Sequence, residues 1–200
     1  MLYEGSLKEN KLHRDSDSLL IKRIQEGDIN ALRGIVDKYK DVSFSLACSI
    51  LKDENKAEDV LQDAFLKVLM NIRKFRFDSS FSTWLYRIVV NTCLHANEKK
   101  NKFLIDKTSE IEFKESEEKS GLEIVLEKER KVYITTTLKM MKPEEALLLR
   151  LFYLCDLNIS EIRKVTDFSE SNIKVMLHRG RKNMYAILSK ITGNEFNNLI

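Results

Sequence analysis

The chain has 200 residues, 43% of them hydrophobic and 32% charged, and carries a net charge of +3. That is room for one medium domain or two small ones, and the composition excludes wholesale disorder. Six glycines and a single proline argue against a many-turned β-sandwich or barrel.

No apolar run approaches the ~20 residues of a membrane span, and Met1–Asn10 lacks the apolar core of a signal peptide. No membrane insertion is expected. Cys48, Cys93 and Cys155 are odd in number, far apart and set in apolar surroundings, which favours a reducing cytoplasm over a disulfide framework.

In chain order, Leu19, Leu20, Ile24, Ala31, Leu32, Ile35, Val36 and Tyr39 follow the three-and-four spacing of an amphipathic helix. A second helix is expected over Val42–Leu51. The third is the clearest, with Ala57, Val60, Leu61, Ala64, Phe65, Val68, Leu69 and Ile72 in one apolar stripe. Opposite it lie Glu58, Asp59, Gln62 and Asp63, with Lys67 and Asn71 further on. Acids in the first turns suit the helix dipole, so a solvated helix accounts for them. The alternative is an acidic docking face for a basic partner helix, which needs evidence beyond composition.

From Ile72 to Lys102 the bases Arg73, Lys74, Arg76, Arg87, Lys99, Lys100 and Lys102 face only Asp78 and Glu98. Phe75, Phe77, Phe81, Trp84 and Tyr86 are interleaved. Cations that offset phosphate charge beside flat rings suit single-stranded nucleic acid. In the loop Phe75-Arg-Phe-Asp-Ser-Ser-Phe81, main-chain amides and the hydroxyls of Ser79 and Ser80 can grip a flipped-out base. The competing reading is that Phe75, Phe81 and Trp84 are core residues, with Trp84 bracing the loop. A fourth helix is expected from about Ser82 to Lys100.

Residues 104–130 carry 5 basic and 9 acidic side chains with sparse apolar residues, the pattern of a solvated linker. The alternative there is an exposed helix, chiefly over Leu122–Arg130. Beyond it, Pro143 suits a helix N1 position with Glu144 and Glu145 behind it. Ser160 reads as the N-cap of a short helix, Thr166-Asp-Phe168 as a turn, and Ser169 as the N-cap of a second helix. That second helix carries Lys174, Arg179, Arg181 and Lys182, with Ser171 and Asn172 near its start. The pair suits a helix-turn-helix whose second helix enters a major groove, or else a basic hairpin that binds protein.

His95 and His178 lack a second nearby ligand, so no metal is expected. No phosphate-cradling glycine loop or nucleophile–base pairing is visible, so neither a cofactor nor enzymatic activity is expected. The expected architecture is all-α, two helical domains joined by an acidic flexible linker. The expected boundaries are an N-terminal extension at 1–18, a first domain at 19–103, the linker at 104–130, a second domain at 131–190 and a tail at 191–200.

The order and spacing of Ala57-Glu-Asp-Val-Leu-Gln-Asp-Ala-Phe-Leu66, Phe81-Ser-Thr-Trp-Leu-Tyr-Arg-Ile-Val-Val-Asn91 and Ile173-Lys-Val-Met-Leu-His-Arg-Gly-Arg181 resemble the sigma-70 family. The likeness is to its two-domain extracytoplasmic-function members. The resemblance implies a promoter-specificity subunit of bacterial RNA polymerase, acting in the cytoplasm. It implies that Glu58, Asp59, Gln62 and Asp63 face the clamp helices of the largest core subunit, with a further contact to the polymerase flap region. Arg76, Phe77, Asp78, Ser79, Ser80 and Phe81 would capture a flipped base of the −10 element. Asn91, with Lys99 and Lys100, would lie along that element's upstream edge. Ser171, Asn172, Lys174, Arg179 and Lys182 would meet the −35 duplex.

The linker, about 27 residues at ~3.3–3.6 Å each, can extend ~90 Å. Regulation by a separate anti-sigma factor is the family-based expectation, the chain having no dedicated extension beyond Ile200. Four positions depart from the family pattern: His95 in place of Asp, Met176 in place of Arg, Arg163 in place of a small residue, and Gly180, which weakens its helix by about 0.5–1 kcal/mol. A weakened −35 readout is therefore expected, with an additional DNA-targeting factor helping to position the second domain. A helix-turn-helix activator or an adaptor acting without core polymerase remains the alternative.

Overall fold

The computed structural model describes residues 17–101 and 121–193. The expectations for the rest of the N-terminal extension, for residues 102–103 at the end of the first domain, for linker residues 104–120 and for the tail beyond Gly193 lie outside the described residues. All regular structure among the described residues is helical, arranged as two units, one built chiefly before residue 107 and one after it.

In the first unit, α1 covers residues 17–25, α2 Asn30–Leu51, α3 Glu54–Asn71 and α4 Phe81–Asn101. A 3-10 turn, Ile72–Lys74, follows α3. The two helices expected before Lys52 divide elsewhere: α2 runs through Tyr39–Val42, where no residue breaks a helix, and the break falls at Gly27, at φ 103°. There Asp28 accepts from the Asn30 amide at 3.0 Å and pairs with Arg23 at 2.6 Å. The Arg23 hydrogen bond holds the Asp28 carboxyl below its ordinary range.

Asp53 caps α3, its side chain accepting from the Lys56 amide at 3.2 Å. α2, α3 and α4 pack on one another through fully buried Ile35, Leu46, Ala57, Ala64, Val68, Leu85 and Val89. Burying each larger aliphatic stabilises the bundle by about 1.5–3 kcal/mol.

The structured unit begins earlier than Leu19. Asp17 is buried in α1, where its carboxylate accepts from Lys38 Nζ at 2.6 Å and from the Tyr39 hydroxyl. Burial, reinforced by that carboxylate, pushes the Tyr39 phenol well above its ordinary range. The Tyr39 ring meets Phe81 and Tyr86 edge-on at 5.6 and 6.0 Å.

In the second unit, α5 spans Gly121–Met140, α6 Pro143–Leu149, α7 Ile159–Thr166 and α8 Glu170–Thr192. α5 starts ten residues before the expected domain boundary at Lys131, so residues 121–130 of the expected linker are helical. Pro143 takes its N1 place, with Glu144 and Glu145 in the first turn. After Leu149 the helix changes into a π turn at Arg150–Leu154.

The expected cap at Ser160 is corrected. Asn158 caps α7 reciprocally, its side chain accepting from the Glu161 amide while Glu161 Oε2 accepts from the Asn158 amide, both at 3.0 Å. Asp167 forms the turn at φ 58°, and Ser169 caps α8 through the Asn172 amide at 3.3 Å. Leu148, Leu151, Ile162, Ile173 and Leu177 make the core. Gly180 is buried where α8 packs on α6, and a Cβ added there would lie 3.4 Å from Leu149.

Candidate polymerase and nucleic-acid interfaces

α3 presents Glu58, Asp59, Gln62 and Asp63 together on its exposed side, because Ala57, Val60, Leu61 and Ala64 occupy the buried one. The same side continues as apolar surface. Leu66, at helical spacing from Gln62 and Asp63, is 57% exposed, and Met70, one turn on, is 77% exposed. Leu69, expected in the buried stripe, is also exposed. The sequence signal for Leu66 and Met70 was their falling off the buried stripe.

The loop between the 3-10 turn and α4 starts from a packed aromatic base. Phe75 is buried and meets Trp84 at 5.1 Å, Phe81 at 5.9 Å and Phe77 at 4.9 Å. Phe77 takes the left-handed conformation at φ 60°, which costs a non-glycine residue about 1–3 kcal/mol and occurs where surrounding contacts enforce it. Arg76 and Asp78 are exposed and pair at 3.4 Å. Phe81 is only 4% exposed, so its ring supports the loop from below instead of presenting a face to a base.

The Ser80 hydroxyl faces the start of α4. Its Oγ lies 2.6 Å from Thr83 Oγ1 and accepts from the Thr83 amide at 3.3 Å and the Ser82 hydroxyl at 3.1 Å, opening α4 as a cap. Ser79, half-buried, donates to the Ser80 carbonyl at 3.3 Å.

Asn91 lines a cleft of about 450 Å³ between α3 and α4, together with Lys67, Lys74, Trp84, Thr92 and His95. Lys67 Nζ donates to Thr92 Oγ1 at 3.1 Å, and that hydroxyl donates to the Ile88 carbonyl at 2.7 Å. That Lys67 and Lys74 share a cleft with Asn91 is hidden in the sequence, because it depends on the apposition of two segments. Lys99 and Lys100 belong to α4, but their side chains lie outside the described residues.

On α8, Ser171, Asn172, Lys174, Arg179 and Lys182 are all exposed, with Ile173, Leu177 and Gly180 buried behind them. Arg163 reaches across the turn to Glu170 at 3.8 Å, and Met176 is half-buried. Arg181 Nε donates to the Tyr153 hydroxyl at 2.8 Å. Among the described residues no group of three His, Cys, Asp or Glu is placed to hold a metal, and no helix is long and apolar enough to cross a membrane.

Comparison with known proteins agrees with this layout. Residues 24–103 match the family model for Sigma-70 region 2, and residues 131–184 that for Sigma-70, region 4, together about two thirds of the chain. The ECF RNA polymerase sigma factor SigW of Bacillus subtilis is 29% identical over 170 residues, covering 81% of this chain and 91% of that protein. The RNA polymerase sigma-H factor of Pseudomonas aeruginosa is 41% identical over 81 residues, 40% of this chain and 42% of that protein. The ECF RNA polymerase sigma-E factor of Escherichia coli K12 is 40% identical over 77 residues, 38% of this chain and 40% of that protein. Among solved structures, that of CnrH in complex with the cytosolic domain of CnrY has a TM-score of 0.60 at 19% identity, covering 86% of this chain and 96% of CnrH, a likeness of fold. The chain belongs to the sigma-70 family and is an RNA polymerase sigma factor of the extracytoplasmic-function type.

Proposed function

We propose that the first unit clasps core RNA polymerase through Glu58, Asp59, Gln62 and Asp63 and holds the melted −10 strand on the 76–80 loop and the Asn91 cleft. The exposed acidic side of α3 carries the first half of this reading. The carboxylates of Glu58, Asp59 and Asp63 attract a basic partner helix, and the adjoining Leu66 and Met70 supply apolar area to bury. The polymerase clamp helices are the partner proposed for this side, and the flap region for the second unit.

The second half rests on the loop. Phe77 sits in a left-handed turn over a packed aromatic base, and Arg76, Lys67 and Lys74 are the cations proposed to meet phosphates. Binding energy toward unstacked −10 bases offsets the cost of opening the duplex, so the protein works by binding and makes no bond change of its own. Ser79, Asn91 and the exposed Arg76, Phe77 and Asp78 are the proposed −10 contacts. Ser80 and Phe81 support them from behind. Such a protein acts where polymerase and chromosome lie, in the cytoplasm.

The second unit meets the −35 duplex through Ser171, Asn172, Lys174, Arg179 and Lys182. Met176 is half-buried and carries no donor, and Arg181 is engaged by Tyr153, so neither position offers a guanidinium to base edges. A bidentate pair with a base supplies about 1–3 kcal/mol of discrimination, and this helix forgoes it at both positions. We infer that a further DNA-targeting factor helps to seat this unit. Footprints that depend strictly on the −35 box would contradict that. An anti-sigma factor that occludes the polymerase-binding side is the remaining partner we infer. The fold neighbour CnrH, bound to the cytosolic domain of CnrY, offers a precedent for such a complex.

Capture of core polymerase by the immobilised chain, followed by run-off transcription, tests the reading. Asp59→Lys with Asp63→Lys is expected to abolish capture and transcripts while leaving helix content unchanged. Capture that survives the double reversal would overturn the proposed docking side.

A further inference from the structure

We propose that Gln25, at the end of α1, is the positioning residue that pre-sets the promoter-binding loop. The inference rests on the reading that the 76–80 loop binds the −10 strand. Gln25 Nε2 donates to the Ile72 carbonyl at 2.9 Å and to the Phe75 carbonyl at 3.0 Å, across 47 and 50 residues of sequence. Both carbonyls stand where a helix ends, the place at which backbone acceptors lose their partners within the helix. The Ile72 carbonyl also accepts from the Phe75 amide at 3.1 Å, closing the 3-10 turn. One primary amide thus uses its two hydrogens to fix both ends of that turn.

What the turn fixes is the root of the loop. The Phe75 carbonyl is the last backbone acceptor before Arg76, and two residues later Phe77 adopts its left-handed φ of 60° with its ring 4.9 Å from Phe75. On the far side, Ser80 caps α4. The segment 76–79 is therefore suspended between two pinned ends, one held by Gln25 and one by Ser80. A loop ordered before it meets DNA loses less conformational freedom on binding, and binds more tightly without any added contact. Gln25 reaches the DNA only through this geometry, and its own side chain is half-buried behind the turn.

The test uses the full-length chain with Gln25→Met, which keeps length and neutrality but removes both donors, and Gln25→Glu, which keeps shape but turns donors into acceptors. Trp84 is the sole tryptophan of the sequence and packs on Phe75, so its emission reports the root of the loop directly. Both variants are expected to speed amide hydrogen exchange across residues 75–79 by ~10-fold, with helices α2 and α3 unchanged. Both should shift Trp84 emission to longer wavelength. Holoenzyme carrying either variant should bind a single-stranded −10 oligonucleotide ~10-fold more weakly, with core polymerase affinity preserved.

Arg76→Ala and Ser79→Ala, made in parallel, separate the two claims. Wild-type exchange across 75–79 in Gln25→Met would overturn the positioning role, as would a loosened loop with oligonucleotide binding intact while Arg76→Ala weakens it. If neither the Gln25 nor the loop variants alter binding, the loop is not the −10 site and the role assigned to Gln25 falls with it. Uniform loss of exchange protection throughout the first unit would show a merely structural residue and would also overturn the proposal.

Discussion

Arg181 is held by Tyr153: its Nε donates to the tyrosine hydroxyl at 2.8 Å, and its guanidinium lies 5.4 Å from the Phe152 ring centre and 5.7 Å from that of Tyr153. The most natural DNA-facing cation in the middle of α8 is thereby turned toward the π turn, which it ties to the recognition helix. Arg181→Ala should lower stability by about 1–2 kcal/mol, the sum of an exposed hydrogen bond and two weak cation–π contacts. Arg181→Lys should restore little, because an ammonium cannot make the same flat contact. Thermal unfolding followed by circular dichroism checks both. Binding to −35 duplexes should weaken alike for matched and scrambled boxes, and a change confined to one base position would contradict this assignment.

Gly180 faces Leu149 and Glu145, where an added Cβ would sit 3.4 and 3.5 Å from its neighbours. That is ordinary contact, so Gly180→Ala should be tolerated and should gain up to about 1 kcal/mol of helix propensity. Gly180→Leu should force α6 and α8 apart and cost about 1–3 kcal/mol. Equilibrium urea unfolding measures both. A destabilised alanine variant would show that the crossing is tighter than the geometry describes.

Ser79 and Ser80 separate cleanly. Ser80→Ala removes the cap of α4 and should cost about 1 kcal/mol of stability. Ser79→Ala should leave stability unchanged and alter base preference at the −10 element, measured by run-off transcription from a promoter library. Unchanged preference would count against a base pocket in this loop.

Much of the fold is legible in the residues themselves, and what is not shares one cause. The α3 stripe, Pro143, the Asp167 turn and the Ser169 cap are local features, decided by residues within one or two helical turns. Burial of Phe81, the capping duty of Ser80, the pairing of Asp17 with Tyr39 and the reach of Gln25 to Ile72 are settled by contacts between distant segments. The cap of α7 is local and still misplaced by its sequence, because Asn158 with Glu161 forms a reciprocal pair that a lone Ser160 obscures. Periodicity marks which side of a helix is buried. It does not say which loop that side supports.

Burial pushes the Cys93 thiol up to about 12, with the neighbouring Cys48 adding to the effect. Burial and the Asp17 carboxylate raise the Tyr39 phenol as well. A group whose folded pKa lies above its unfolded value stabilises the fold below the unfolded pKa, and that stability is lost as pH rises toward the folded one. Unfolding free energy should therefore fall above about pH 9, at up to about 1.4 kcal/mol per unit for each group once its unfolded form ionises. Cys93→Ala should flatten the decline between about pH 9 and 12, as read by urea unfolding at fixed ionic strength. A thiol reagent at pH 8 should react with Cys93 only after unfolding.

Permanganate reactivity of non-template thymines in the −10 element is the most direct reading of what the first unit does. Core polymerase with the wild-type chain should render those thymines reactive, while core alone, or core with the Asp59→Lys and Asp63→Lys chain, should leave them protected. Protection with the wild-type chain at every promoter offered, despite stable association with core, would contradict the account.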